Sequence, residues 1–219
     1  MEIKWYGHSC FLLTGESGVR ILMDPPDAST GYMIAPMKAD VVTASHGHYD
    51  HNNFALAIND PVRVTEAGVH ELDGVTIVGV PWWHDDAHGK KRGTNMMFVV
   101  ELDGIRVLHA GDIGVLPDEE TLQKLGMIDV LLVPIGGTYT IDSKLALELC
   151  NMLKPKVVIP MHYKTDEMRK DLAEKLSGVL PFLNAAKDCS IHRLRQPEAT
   201  LTKESLGMDR IITLMVAKQ

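Results

Sequence analysis

Apolar residues along the chain fall in short runs closed by glycine, proline or aspartate, a pattern of strands more than of long helices. Phe11-Leu12-Leu13 and Val19-Arg20-Ile21-Leu22-Met23, joined across Gly15-Glu16-Ser17-Gly18, read as a hairpin. Residues 96–101 and 105–108, joined at Asp103-Gly104, read as a second. Val62-Arg63-Val64 and residues 75–80 are further strands, with Asp73-Gly74 as a turn between elements. Residues 39–44, 130–133 and 157–159 read as buried strands, and 211–216 as a closing one. Three helices are expected. One covers Ser143–Leu153 with Asp142 as N-cap, a second covers 166–176, and a short third covers 54–58, opened by Asn52-Asn53.

The pattern carries a weak internal echo. Gly18-Val19-Arg20-Ile21-Leu22 precedes Asp40-Val41-Val42 by 22 residues, and Gly104-Ile105-Arg106-Val107-Leu108 precedes Asp129-Val130-Leu131 by 25. Either the chain holds two related half-units, or buried hairpins simply look alike. Strands in two sets with helices between them point to an α/β arrangement of two sheets face to face with helices outside.

Composition narrows the class. The 219 residues are 45% hydrophobic, enough for one sizeable core, so residues 1–219 read as one domain. A net charge of −7 disfavours general nucleic-acid binding. Three cysteines with no C-x-x-C pair argue against a disulfide framework. The opening residues lack the apolar region of a signal peptide, and no run approaches a membrane span. The expectation is a soluble, reduced, cytoplasmic protein that engages neither nucleic acid nor membrane, acts on a small molecule, and is compatible with a homo-oligomer.

The candidate chemistry is concentrated in His46-Gly47-His48-Tyr49-Asp50-His51, four metal-ligand side chains in six positions between a strand and the next element. One cluster cannot complete a two-metal centre, so further ligands are sought where other strands end. His84 follows the strand 75–80, Asp112 follows the strand 105–108 through His109-Ala110-Gly111, and His162 follows 157–159. His88 rivals His84, and Asp85, Asp86 and His88 read as loop surface or substrate rim. His109 is in phase with Ile105 and Val107 and reads as a hydrogen-bonded core histidine. His8 reads as a residue that supports or borders the site. Lys91 and Arg92, within Lys90-Lys91-Arg92, and Tyr139 and Tyr163 are candidate substrate contacts.

The series SHGHYDH, VPWWHDD, LHAGD and PMHYKT resembles the metallo-β-lactamase superfamily. The opening YGHSCFLL with LMDP, and the segment VPIGGTYTID, are similar to the small zinc-dependent hydrolases related to the ascorbate-phosphate lactonases. The likeness covers roughly residues 3 to 165. It implies an αββα sandwich with two divalent ions at the sheet edge: zinc first, with manganese, iron or nickel as alternatives. It places His46, His48 and His84 on one ion and Asp50, His51 and His162 on the other, with Asp112 between them. The expected reaction is hydrolysis of a lactone, carboxylic ester or phosphoester in a small, anionic substrate by a hydroxide shared between the ions. Asp50 would hold an ion and aim that hydroxide. Three other readings stand beside it: a di-iron oxidoreductase on the same fold, whose branch typically has Glu where this chain has His48; a binding module without activity; and a processing ribonuclease, disfavoured by the acidic charge.

Overall fold

Alternation within the hairpin strands decides which faces meet. A computed structural model describes residues 1–217 apart from 73, 188 and 207–209. Asp73 of the expected Asp73-Gly74 turn thus lies outside the described residues. One sheet has six strands in the spatial order Glu198–Thr200, Glu2–Gly7, Cys10–Thr14, Arg20–Met23, Val41–Thr43, Val62–Val64. The other has eight: Ser190–Arg193, Arg210–Thr213, Val157–Met161, Val130–Pro134, Ile105–His109, Thr94–Leu102, Val75–Trp83, Gly68–Leu72. Ile3, Trp5, Phe11, Leu13, Ile21 and Met23 occupy one face of the first sheet. They join Phe98, Val100, Leu102 and Val107 of the second sheet in one apolar cluster. Each large side chain taken out of water there contributes about 1.5–3 kcal/mol.

The intervening residues of the first sheet, Tyr6, Cys10, Leu12, Leu22 and Val42, face outward and are covered by Ala39, Leu56 and Ala57. That cover is thin. The helix expected over 54–58 is a single 3₁₀ turn, Phe54–Leu56, followed by the strand Ala57–Ile58 paired in parallel with Met37–Lys38. Asn53 makes no side-chain cap there, and Leu56 and Ala57 are drawn onto the sheet instead of into a second turn. The second sheet carries the helices. Ser143–Leu153 packs on Val130–Pro134, Glu119–Leu125 touches Val75–Trp83, and Leu180–Ala185 packs on Ser143–Leu153. These are the layers of the αββα sandwich, with the helical layer over the first sheet reduced to that 3₁₀ turn.

The second hairpin turns at Asp103-Gly104, both with left-handed φ (52° and 69°), as a two-residue turn of this type requires. Asp142 caps Ser143–Leu153 as expected, accepting from Lys144 N and Leu145 N at 3.0 Å each. The helix expected over 166–176 shrinks to Lys170–Ala173. The residues before it are bound to segment 28–32: Arg169 N donates to Thr30 O (2.8 Å), and Tyr32 Oη meets Thr165 Oγ1 (2.7 Å). The closing strand is Arg210–Thr213, shorter than expected, because Met215 N turns to Gln196 O. Among the described residues no helix is long and apolar enough to cross a membrane.

The echo in the sequence has a structural counterpart. Asp40 takes Arg20 N on its Oδ2 (2.8 Å), donates its own N to Arg20 O (2.9 Å), and accepts Val62 N on its O (2.9 Å). Asp129 does the same with Arg106 N (3.0 Å), Arg106 O (2.9 Å) and Val157 N (3.0 Å). In both sheets an antiparallel hairpin passes into a run of parallel strands, three in the first sheet and five in the second.

That topology positions the chemistry. Strand Glu2–Gly7 is antiparallel to Cys10–Thr14, which is antiparallel to Arg20–Met23, which is parallel to Val41–Thr43. Three of these four therefore end at the same edge. In the second sheet Val75–Trp83, Ile105–His109, Val130–Pro134 and Val157–Met161 likewise share one direction.

Candidate metal centre

Five of those strand ends deliver the residues: Asp24, the loop 45–51, His84, Asp112 and His162. The nitrogens of His46, His48 and His84 lie within 4.8 Å of one another. So do the donor atoms of His46, His51 and Asp112, and those of His8, Asp50, His51 and His162. Asp112 Oδ2 lies 3.3 Å from His51 Nε2, 3.6 Å from His84 Nε2 and 3.0 Å from His162 Nε2. All seven sequence-selected ligand candidates thus face one small volume, with Asp112 between the two groups.

Whether these residues suit a metal is decided by their free lone pairs. His46 Nε2, His51 Nε2, His162 Nε2 and Asp112 Oδ1 are all buried without a hydrogen-bond partner. Several buried, unpaired polar atoms aimed at one point would be costly in a protein with nothing to bind there. Imidazole nitrogens with carboxylate oxygens are the donor set of zinc and similar divalent ions. The residues fit.

The surrounding contacts set orientation and charge. Asp24 Oδ2 accepts from His51 Nδ1 (2.7 Å) and from Ser45 Oγ, and Asp24 Oδ1 accepts from Ser45 N (2.8 Å). The His51 contact leaves Nε2 as its free nitrogen. Burial works to raise the Asp24 carboxyl. Nearby His109 and the bonds from His51 and Ser45 outweigh it and hold the group below its ordinary value. Ser45 Oγ also meets His46 Nδ1 (2.9 Å). Burial pushes His46 down to about 3 and lowers His84, so both rings are neutral and their lone pairs available. Burial alone would raise Asp112, but the neighbouring His162 and His51 rings hold it well below the carboxylate range. Burial likewise would lower His51, whereas Asp112 and Asp24 push it well up. A cation bound there would compete with a proton for the same His51 nitrogen.

Asn95 and Gly111 set the turn that presents Asp112. Asn95 Nδ2 donates to Ala110 O (2.9 Å), and Asn95 Oδ1 accepts Asp112 N (2.7 Å). Gly111 has φ +58°, and a Cβ there would collide with Asn95 Oδ1. His109 is fully buried, with Nε2 on Ser9 O (2.8 Å) and Nδ1 accepting Gly111 N (3.1 Å). It is a core histidine, as its strand phase predicts.

Asp85 departs from the surface or rim role expected of it. It is buried and accepts four backbone N–H groups, from Ala87, Gly89, Lys91 and Arg92, at 2.7–3.0 Å. Burial alone would raise its carboxyl, but these donors bring it down to about 2. The carboxylate folds the loop after His84 around itself.

The two groups of ligands open into a cavity of about 310 Å³. Its walls bring in Tyr49, Arg92, Tyr139, Arg169, Leu172 and Lys175. Arg92 donates to Thr138 O (3.1 Å) and lies over the Tyr139 ring, 5.6 Å from its centroid. Two substrate candidates are corrected. Lys91 turns away to Asp86, 2.6 Å off in solvent. Tyr163 is buried against Trp5, ring centroids 5.3 Å apart, and does not line the cavity. Arg169 and Lys175 were not singled out from the sequence. They reach the wall because segment 164–176 docks on the 28–31 loop, with Arg169 Nη1 on Ser29 O (2.8 Å).

Residues 2–162 match the family described as a beta-lactamase superfamily domain. The chain belongs to the metallo-β-lactamase superfamily. A curated relative from Thermococcus onnurineus, named a UPF0173 metal-dependent hydrolase, is 37% identical over 82% of this chain and 96% of its own length. Another with the same name, from Methanoregula boonei, is 33% identical over 91% of this chain and 97% of its own. Among solved structures, a Thermotoga maritima protein provisionally described as a Zn-dependent hydrolase of the metallo-β-lactamase superfamily superposes with a TM-score of 0.79. It is 36% identical and matches over 97% of this chain and 98% of its own.

Proposed function

We propose that the protein is a metal-dependent hydrolase that cleaves an ester bond in a small anionic molecule, using two divalent ions. The reading of its relatives as metal-dependent hydrolases supports the class. The observation that carries the metal reading is the set of buried, unpartnered atoms His46 Nε2, His51 Nε2, His162 Nε2 and Asp112 Oδ1 converging beside an open cavity.

His46, His48 and His84 would hold one ion, and Asp50, His51 and His162 the other, with Asp112 shared. Zinc is the first choice for this donor set; manganese, iron and nickel accept it too. When bound, such a pair polarises the substrate oxygen and makes water acidic enough to attack near neutral pH. Asp50, which lines the cavity with its Oδ2 3.7 Å from His51 Nε2, would accept a hydrogen bond from the attacking water. Arg92, Arg169 and Lys175 give the wall three cations in a chain of net charge −7. Asp171 neutralises part of Arg169, whereas Lys175 extends from the wall as an exposed cation. Concentrated positive charge at a concave mouth draws in an anion and holds it beside the reacting bond. Tyr139 and Leu172 supply the apolar side of the cavity. Its volume sits at the lower end for small-molecule sites, which favours a compact substrate.

The test is a hydrolysis screen with p-nitrophenyl phosphodiesters, lactones and thioesters. The zinc-loaded protein, the chelated protein, and His48→Ala and Asp50→Ala variants would be compared. Turnover that vanishes on chelation, returns with metal and is lost in both variants supports the reading. Full metal loading with no turnover of any ester contradicts it.

A further inference from the structure

We propose that His8 is a positioning residue for the second metal subsite: its ring fixes the Asp50 carboxylate and its backbone carbonyl fixes His162. The inference rests on the two-metal reading above and says how one half of that centre is kept in shape.

His8 Nε2 lies 3.1 Å from Asp50 Oδ2 with hydrogen-bond geometry, and the ring has no solvent exposure. His8 O accepts His162 N at 3.0 Å and Trp5 Nε1 at 3.1 Å. One residue therefore holds two of the three residues assigned to the second ion, Asp50 by its carboxylate and His162 by its backbone N–H. Its ring centroid is 4.0 Å from that of His162 and 5.2 Å from that of His51, so it also forms a wall of the subsite.

The chain takes unusual steps to put it there. The register of Glu2–Gly7 against Cys10–Thr14 shifts between Trp5 and Gly7, and a bulge at a strand end re-aims the next side chain. Gly7 follows with φ +104°, where a Cβ would run into the Tyr32 ring. His8 itself has φ +51°, a left-handed conformation that a non-glycine residue rarely adopts. Strained backbone of this kind persists where the surroundings over-determine it.

The same contacts separate positioning from ligation. His51 Nε2 and His162 Nε2 have no hydrogen-bond partner, so their lone pairs point into the shared volume. His8 Nε2 is instead engaged with Asp50. A neutral ring with its proton on Nε2 donates to the carboxylate and leaves the buried Nδ1 without a partner, as observed. Partners that orient metal-bound carboxylates are worth 10–100-fold in affinity.

Two measurements test this. In protein loaded with cadmium-113 and labelled with nitrogen-15, Nε2 of His51 and His162 should show coupling to cadmium. His8 should show none and carry its proton on Nε2. Coupling between cadmium and His8, or a His8 Nε2 without its proton, overturns the proposal. Failure of the wild type to take up a second ion would instead defeat the two-metal reading on which it rests. Separately, a chelator-competition titration with zinc should show the second equivalent bound about 10- to 100-fold more weakly in His8→Phe. The first equivalent should be unchanged, and His8→Gln, which keeps an N–H donor, should recover most of the loss. Wild-type affinity for both equivalents in a folded His8→Phe variant, or a folded His8→Gln variant that loses the second one, contradicts the assignment.

Discussion

Asp24 Oδ2 and His51 Nδ1 are 2.7 Å apart, both fully buried, and this contact ties the end of strand Arg20–Met23 to the metal loop. It fixes which His51 nitrogen is free. Asp24 also holds Ser45 through its backbone and hydroxyl. Replacing Asp24 by Asn keeps the shape and removes the charge. The expected outcome is a 10–100-fold loss of zinc affinity, read by competition with a chromophoric chelator. Wild-type affinity would show that the contact is incidental.

Gly111→Ala should act on the metal through Asn95. The added Cβ meets Asn95 Oδ1 and Ser45 Cβ at a backbone φ of +58°, and Asn95 Oδ1 is the acceptor of Asp112 N. Overpacking of this kind costs about 1–3 kcal/mol. Denaturant titration should show that loss, accompanied by weaker zinc binding. A variant with undiminished zinc affinity would mean that Asp112 does not depend on this turn.

Asp85 sets a pH dependence whose sign is fixed by its depressed carboxyl. With a folded value of about 2 against an ordinary carboxylate near ~3.9, it stabilises the fold above pH ~4. That contribution is lost as pH falls through about 2. Asp85→Asn should therefore melt a few degrees below the wild type at pH 7, and the gap should close as the pH is lowered from about 4 towards 2. A gap independent of pH would place the effect in packing and not in the charge.

Lys175 and Arg92 should govern substrate charge and leave the bond-breaking step alone. Lys175→Gln removes an exposed cation and Arg92→Gln a half-buried one, so KM for an anionic ester should rise by up to about five-fold with kcat little changed. KM for a neutral analogue should not move. Equal effects on both substrates would assign these residues to packing.

The strand-end rule was legible in the sequence for part of the site and not for all of it. His84, Asp112 and His162 each lie just past a largely apolar run, so the edge on which they meet could be read directly. His8 and Asp24 obey the same rule, since Glu2–Gly7 and Arg20–Met23 run in the shared direction. Their roles depend on hydrogen bonds across 42 and 27 positions, which no local pattern records. Asn95 is invisible for another reason: it lies inside a strand, where only its buried neighbours give it meaning. Arg169 and Lys175 belong to a stretch that reads as a helix but is bent onto the 28–31 loop by tertiary contacts. The helices Glu119–Leu125 and Leu180–Ala185 escaped because seven and six residues are too few to show a helical period. Asp118 capping Thr121 N was the available signal for the first of them.

The central claim is that seven side chains from four strand ends hold a pair of cations. Diffraction from zinc-loaded crystals at the zinc absorption edge tests it most directly. The account predicts two anomalous peaks, one among His46, His48 and His84 and one among Asp50, His51 and His162, with Asp112 reaching both. A single peak, or zinc bound only outside this cluster, would contradict it.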